Sequence, residues 1–342
     1  MGSQPDHLRR TCPICGVNKI AEKKAKTCSE CRYLRTPQSR GVPAEDIITL
    51  PRTYEEAQAD WRRWIGQVKA PTVRPPARRS PAHTSRLCIC SDVHAPFSDK
   101  SVIAEMFEDA KDCDTLIVAG DVMDSYSLSR FIHYERVPLS QEMAETTAFL
   151  EQAANRFHTV LLLEGNHGQI RFEKQIRDRL SPDMVDAILI LTGGSLSLLD
   201  AAAKPFPNVE VVKTRVGRFG LDWIYQHGDL VVCHAEKFSI VPGAAVRKID
   251  EWLSDQEQAI GLKPWRVLMQ AHTHQLGQFP WKSDRLLMET GCLCSIHAYQ
   301  LTARIGGRPQ RRGWTLLEQH NGRTDFDSIR MRWADARHVK AA

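Results

Sequence analysis

The chain has 342 residues, of which 42% are hydrophobic and 25% charged, and its formal net charge is +5. This composition is that of an ordinary globular protein, long enough for one large domain and a small appendage. No apolar run approaches the roughly 18 residues that a bilayer span requires, and residues 1–6 contain no hydrophobic signal core, so we expect a cytoplasmic protein with no membrane partner.

Positive charge is concentrated at the two ends of the chain. Residues 1–86 contain 17 Lys and Arg against 8 Asp and Glu, and residues 304–342 contain 9 against 4. The segment between them is therefore acidic although the whole chain is basic. Two basic ends predict contact with a polyanion, and nucleic acid is the partner that we expect. The alternative is a pair of solvated tails.

Two Cys-x-x-Cys pairs lie close to the N-terminus, Cys12 with Cys15 and Cys28 with Cys31. Four thiolates are the tetrahedral ligand set that Zn²⁺ takes in closed structural sites. The other six cysteines are scattered in apolar segments, which favours reduced thiols and a metal over disulfides. We therefore predict a zinc-ribbon or zinc-knuckle module over residues 1–36 that depends on one structural Zn²⁺ for its stability.

Basic side chains surround these cysteine pairs, and we predict that they bind nucleic acid. The alternative is that the module is a structural clip or a protein-docking element. The predicted contacts are Lys19, Lys23, Lys24, Lys26, Arg32 and Arg35.

Residues 37–84 are predicted to connect this module to a catalytic domain. Thr53 and Glu56 have the spacing of a helix capping box, and the apolar stripe that follows favours a helix packed on the catalytic domain. Residues 71–81 are rich in proline and arginine, which is typical of an extended linker. We place the catalytic domain at 85–320 and a basic C-terminal segment at 321–342.

The catalytic region alternates apolar runs with helical patterns, and polar residues follow the runs. This rhythm predicts a sheet covered by helices, with polar clusters at the strand ends. The stretch 169–203 has a mostly helical pattern and is expected to form a cap or side wall. Strands are predicted at 86–91, 115–119, 159–163, 208–213, 221–226, 229–234, 266–271, 285–290, 313–317 and 329–333, and helices near 100–111, 140–157 and 243–260.

The polar clusters form an ordered series: Asp92-x-His94, Gly120-Asp121-x-x-Asp124, Gly165-Asn166-His167, His234 and His272-x-His274. Each is a weak signal alone, but their succession resembles the signature of the calcineurin-like metallophosphoesterases. The resemblance covers about residues 86–300. It implies an α+β fold, a two-sheet β-sandwich flanked by helices, to which the N-terminal zinc module is added.

The resemblance also implies two divalent metal ions in the active site. One would be held by Asp92, His94, Asp121 and His274, and the other by Asp121, Asn166, His234 and His272, with Asp121 as the bridge. Carboxylate and imidazole suit Mn²⁺, which we expect first, and also Fe and Zn²⁺. Two such ions clamp a phosphoryl group and supply hydroxide as the nucleophile.

His167 and Asp124 are predicted to be catalytic. The resemblance places His167 where it can protonate the leaving oxygen, with Asp124 as its orienting carboxylate. The alternative is that His167 only hydrogen-bonds the phosphate.

Four positions depart from the family pattern without affecting the implied ligands. Protein phosphatases of the family have an arginine where this chain has Ser125, and a glutamate where it has Gly168. The residues Ala235 and Ala271 replace glycines. These departures weaken a protein phosphatase interpretation.

The sequence thus predicts a dinuclear-metal phosphodiesterase acting on nucleic acid, DNA before RNA. One alternative is a small-molecule or phosphoprotein hydrolase whose zinc module serves for docking. Another is a nucleic-acid-binding protein with a vestigial phosphoesterase fold. The sequence leaves open the cleavage polarity, the native metal pair and the oligomeric state.

Overall fold

The computed structural model describes residues 83–129, 137–192, 195–213, 223–239, 241–295 and 310–334. The chain divides into two units, and every described residue belongs to the unit formed by Trp64–Ser129 and Glu135–Ala342. The predicted zinc module with its four cysteines and six basic residues, and most of the connector 37–84 including the linker 71–81, lie outside the described residues. They stay predictions.

A six-stranded mixed sheet forms the first half of the core. Its strands are β1 Thr84–Cys90, β2 Thr115–Val118, β3 Thr159–Leu162, β4 Val209–Val211, β10 Gly313–His320 and β11 Arg323–Trp333. Their order is β11-β10-β1-β2-β3-β4. The four strands from β1 to β4 are parallel, and β10 and β11 extend the sheet in antiparallel pairing.

A five-stranded mixed sheet forms the second half. Its strands are β5 Ile224–His227, β6 Leu230–Cys233, β7 Val267–Gln270, β8 Leu276–Trp281 and β9 Arg285–Thr290. Their order is β5-β6-β7-β9-β8, and β6, β7 and β9 are parallel to one another.

The helices are α1 Lys100–Asp109, α2 Leu139–Ala154, a π-helix at Asn166–Lys174, α3 Gln175–Arg179, α4 Pro182–Thr192, α5 Leu198–Ala203 and α6 Ala244–Ile260. Of these, α1, α2 and α5 pack on the outer face of the first sheet and α6 packs on the second. The carboxylate of Asp99 begins α1 by accepting the backbone N–H groups of Ser101 and Val102. Within the described part of the chain, no helix has the length and apolarity that a membrane span requires.

Strand periodicity explains the layering. On β1, Leu87 and Ile89 point to one face and pack with residues of the second sheet such as Val232, while Cys88 and Cys90 point to the other face. Side chains alternate between faces along a strand, so one strand serves two hydrophobic layers. The second sheet is covered in turn by Val246, Ile249 and Leu253 of α6. The predicted α+β class, a two-sheet sandwich flanked by helices, is confirmed.

Two parts of the fold differ from the sequence pattern. The strand β8 was not predicted, because Gly277 and Pro280 interrupt its apolar pattern. It lies at the end of the strand order, where proline is tolerated. The strand predicted at 329–333 is longer than expected: β11 begins at Arg323 and pairs with β10 in the first sheet, within the stretch 321–342 that was assigned to a basic C-terminal segment.

Candidate metal centre

The predicted site residues follow five strands that end at one edge of the sandwich. In the first sheet, β1, β2 and β3 run parallel, with Cys90 beside Val118 and Val118 beside Leu162. In the second sheet, β6 and β7 are parallel up to Cys233 and Gln270. Loops that leave the carboxyl ends of parallel strands meet at the same edge, which is where such sheets place their chemistry.

The backbone of these loops is unusual. Five of the seven predicted ligands have left-handed backbone conformations, which are uncommon for residues other than glycine. Their φ angles are 50° for Asp92, 49° for His94, 48° for Asp121, 72° for His272 and 53° for His274. Backbone strain of this kind is concentrated at functional sites, where tight turns direct several side chains to one point.

Two glycines allow the loops to approach each other. Gly120 has a φ of 88°, and a Cβ added there would collide with the His234 ring. A Cβ on Gly165 would collide with Oδ1 and the backbone nitrogen of Asp121. Any larger residue at either position would push apart side chains that the site brings together.

One group of donor atoms surrounds His94. Its Nε2 atom lies 3.2 Å from Nε2 of His274 and 3.7 Å from Oδ1 of Asp92. Oδ2 of Asp121 is 3.9 Å from the same nitrogen. Nε2 of His274 is itself 3.2 Å from Oδ1 of Asp92, whose other oxygen accepts the backbone N–H of His272 at 3.1 Å. These four side chains are the predicted ligands of the first metal.

A second group surrounds His234. Its Nε2 atom lies 3.1 Å from Oδ2 of Asp121 and 3.2 Å from Oδ1 of Asn166. The same Asn166 oxygen is 3.0 Å from Nδ1 of His272. Burial and the neighbouring His234 lower the pKa of His272 to about 4, which leaves that ring neutral. The structure thus brings together the predicted ligands of the second metal, with Asp121 common to both groups.

The chemistry of these donors fits divalent cations. Nδ1 of His234 lies 2.8 Å from the carbonyl oxygen of Ala119. A carbonyl oxygen only accepts hydrogen bonds, so Nδ1 must carry a proton. When the ring is neutral, Nε2 therefore has no proton and its lone pair points at the Asp121 carboxylate. Two acceptors 3.1 Å apart need a proton or a cation between them. Ligands of an octahedral ion, each at about 2.1 Å, lie roughly 3 Å apart, which matches the observed spacing.

The raised pKa values of two histidines indicate that the site has a negative electrostatic potential. Burial lowers the pKa of His234, but the Asp121 carboxylate outweighs it and raises the value to about 9. Burial likewise opposes protonation of His94, whereas hydrogen bonds with Asp124 and Asp92 raise its pKa to about 9. A pocket that attracts protons this strongly also attracts metal cations. The residues present therefore fit two divalent ions, whose identity stays open.

Asp124 contacts both His94 and the predicted acid His167. Its Oδ2 atom is 2.9 Å from Nδ1 of His94 and 3.4 Å from Nδ1 of His167. The backbone oxygen of Asp124 is closer to that same His167 nitrogen, at 3.0 Å. Burial raises the pKa of Asp124, but hydrogen bonds with the two histidines hold it well below its usual range. The carboxylate therefore stays ionised beside both rings.

Sequence reasoning missed Arg171. Its Nη1 atom donates to the backbone oxygen of Asp124 at 2.9 Å and to Oδ1 of the same residue at 2.7 Å, and its Nη2 atom donates to Nε2 of His167 at 2.9 Å. The signal that was available is the spacing of four residues between His167 and Arg171, which places two side chains on one face of a helix.

Sequence reasoning also missed the sulfur atoms behind His274. Sγ of Cys294 lies 3.9 Å from Nδ1 of His274, on the side of the ring away from Asp92. Gln310 donates to Sγ of Cys294 at 2.7 Å and to Sγ of Cys292 at 3.1 Å. His274 is thus held from behind by a buried polar group, as metal-binding histidines commonly are.

Ser125 occupies the position where family phosphatases have an arginine. Its side chain is fully buried, and its Oγ atom has no hydrogen-bond partner among the described residues. Position 125 therefore offers no cation to a substrate.

Comparison with known proteins identifies the relationship. A family model described as calcineurin-like phosphoesterase matches residues 85–296, more than half of the chain. None of the curated proteins matches the sequence. The family match includes all nine predicted metal and catalytic residues.

Three of the solved structures to which this chain is similar share little sequence identity with it. A predicted phosphoesterase of Streptococcus pneumoniae is 11% identical, with 73% of this chain and 98% of that chain covered and a TM-score of 0.29. Vps29 of Chaetomium thermophilum is 8% identical, with 73% and 97% covered and a TM-score of 0.35. Yfce, a phosphoesterase from E. coli, is 16% identical, with 68% and 91% covered and a TM-score of 0.31.

Proposed function

We propose that this chain, which belongs to the calcineurin-like phosphoesterase family, is a metal-dependent phosphodiesterase. Its proposed substrate is nucleic acid, DNA in preference to RNA. The observation that carries the hydrolytic part is the convergence of seven metal-compatible side chains into two groups that share Asp121. One group is Asp92, His94, Asp121 and His274, and the other is Asp121, Asn166, His234 and His272.

Two divalent ions bound in these groups would polarise the phosphoryl oxygens and activate water for attack on phosphorus. The residues of the chain have separate tasks around them. Asp92 and Asp121 supply the negative charge that holds the cations, and both are buried. Asn166 adds a neutral oxygen, which limits the net negative charge that the phosphate must approach.

His167 is proposed as the acid that protonates the leaving oxygen. In this structure, Nδ1 carries a proton and donates it to the Asp124 backbone oxygen, while Nε2 accepts from Arg171. Acid catalysis requires a second proton at Nε2. The Asp124 carboxylate, 3.4 Å from Nδ1, would stabilise the imidazolium formed in that way.

The substrate class is supported by charge and by position 125. An arginine there would grip a phosphomonoester, and the buried Ser125 removes that contact. The basic ends of the chain complement a polyanion, whereas the segment between them is acidic. A phosphodiester within a nucleic acid would be held largely by contacts outside the centre.

Hydrolysis tests this proposal directly. The full chain with Mn²⁺ is incubated with bis-p-nitrophenyl phosphate, p-nitrophenyl phosphate and labelled single- and double-stranded DNA and RNA. We expect cleavage of the diester and of DNA, and loss of both after chelation. Cleavage of the monoester alone would reject the nuclease assignment.

Binding tests the predicted role of the zinc module. We expect DNA affinity to fall with rising salt and to disappear when residues 1–50 are deleted, because the predicted basic contacts lie there. Substituting the predicted zinc ligands Cys12 and Cys15 by serine should have the same effect. DNA binding that survives both changes would refute this role of the module.

A further inference from the structure

We propose that Arg171 binds the phosphate group of the substrate through the N–H donors that its contacts within the site leave available. This inference rests on the proposed function, because it names a substrate-binding residue of the same site. The family signature does not include residue 171, and its role follows from the contacts of this chain.

The hydrogen bonds of Arg171 leave part of the guanidinium available. An arginine side chain has five N–H donors and cannot accept. Two donors of Nη1 go to Asp124 and one donor of Nη2 goes to His167. The Nε donor and the second Nη2 donor have no partner among the described residues. Arginine often binds phosphate through two N–H donors at once, and two donors remain here.

Solvent can reach this side chain. Arg171 is 19% exposed, whereas Asp124 beneath it is 5% exposed and Asp121 is 1% exposed. The Arg171 side chain is therefore more accessible to solvent than either carboxylate, and its positive charge attracts an anionic substrate.

The bonds to Asp124 fix where the guanidinium lies. A bond of 2.7 Å to the buried carboxylate and a second bond to the backbone oxygen of the same residue hold Nη1 in place. A preorganised arginine loses little side-chain entropy when it binds phosphate. Asp124 thereby links three groups that serve the reaction: His94, His167 and Arg171.

Arg171 also holds His167. Arg171 can only donate, so Nε2 of His167 accepts its hydrogen bond at 2.9 Å. The same guanidinium therefore orients the proposed acid and still has donors available for phosphate.

Three variants of the full chain test the proposal. Arg171→Ala removes the guanidinium, and Arg171→Lys keeps the charge but loses the paired donors. Arg177→Ala is the matched control, because Arg177 is exposed and is paired with Glu173 one helical turn away. Each Mn²⁺-loaded variant is titrated calorimetrically with inorganic phosphate, and its metal content and melting temperature are measured.

We expect Arg171→Ala to weaken phosphate binding roughly 10- to 100-fold, the range for hydrogen bonds to charged groups. Arg171→Lys should lie between this variant and the wild type, and Arg177→Ala should match the wild type. Metal content should be unchanged in all three. If Arg171→Ala does not fold, Arg171→Lys decides.

Phosphate affinity within twofold of the wild type in the folded Arg171 variants would overturn the proposal. A lowered melting temperature with unchanged phosphate affinity would assign Arg171 a purely structural role. Loss of the metals from both variants would also overturn it. Phosphate binding does not require turnover, so a wild type that cleaves no phosphodiester would refute the proposed function and leave this test intact.

Discussion

The ring of His234 joins the two sheets at the centre of the site. Its Nδ1 atom donates to the backbone oxygen of Ala119 at 2.8 Å, and its Nε2 atom lies 3.1 Å from Oδ2 of Asp121. The first contact fixes the tautomer and the orientation that the second contact requires. The carboxylate of Asp121 also faces the other donor group, at 3.9 Å from Nε2 of His94.

Asp121→Asn should therefore impair both metal sites. The amide is neutral, so the site loses a buried negative charge that both cations need. We expect fewer than two ions per chain by plasma emission spectroscopy. Asp183→Asn, an exposed carboxylate on α4, is the control and should keep full metal content. An unchanged metal content in Asp121→Asn would contradict the bridging role.

His167→Asn should lower turnover while the metals remain bound. The side chain is the proposed acid and is not one of the predicted ligands, so we expect kcat to fall by about 10²-fold or more. Metal content and kcat are measured on the same preparation. His320→Asn, at the exposed end of β10, should change neither value. Loss of the ions from His167→Asn would indicate that His167 is a metal ligand and would contradict its proposed role as the acid.

Gly120→Ala should destabilise the fold and disturb metal binding together. Two effects add at this position: a φ of 88°, and a Cβ that would collide with His234. Gly261→Ala separates them, because Gly261 has a φ of 76° with open space around it. We expect a cost of about 1–2 kcal/mol for Gly261→Ala, and a further cost of about 1–3 kcal/mol for the collision at position 120.

Urea unfolding measures both glycine variants, and metal titration accompanies it. Equal destabilisation by the two substitutions would show that the His234 ring yields to the added methyl group. In that case Gly120 is required only for its backbone conformation.

Asp250→Ala should be among the most destabilising substitutions outside the site. The buried carboxylate accepts hydrogen bonds from Trp265, Trp281, Lys282 and Arg285. Its removal leaves the largely buried Arg285 without its ion partner, which costs about 3–5 kcal/mol. Asp255→Ala, exposed on the same helix, should cost far less. No partner of Asp250 in the described structure is a predicted metal ligand, so folded Asp250→Ala should still bind metal.

Much of the centre was predictable because its signals are local. A buried strand is visible in the sequence as an apolar run, and the polar site residue follows it within a few positions. The strand that ends at Val118, for example, is followed by Asp121. The order of five such endings produced the family resemblance that implies the ligands, and the structure places those side chains together. Their roles as ligands stay predictions.

The residues that sequence reasoning missed depend on tertiary contacts. Arg171 is one arginine among many until the π-helix turns it toward Asp124. Cys294 and Gln310 are separated by 16 residues and meet behind His274 only in the folded chain. Apolar periodicity contains no information about such meetings.

The distribution of donors across both sheets makes the ions part of the folding equilibrium. Asp92, Asp121 and Asn166 follow strands of the first sheet, whereas His234, His272 and His274 follow strands of the second. An ion bound between them acts as a cross-link that exists only while the sandwich is closed. At 100 times its Kd, each such ligand adds about 2.7 kcal/mol to stability. Removal of the ions with a chelator should therefore lower the melting temperature, and added Mn²⁺ should raise it in a concentration-dependent way that Asp121→Asn weakens.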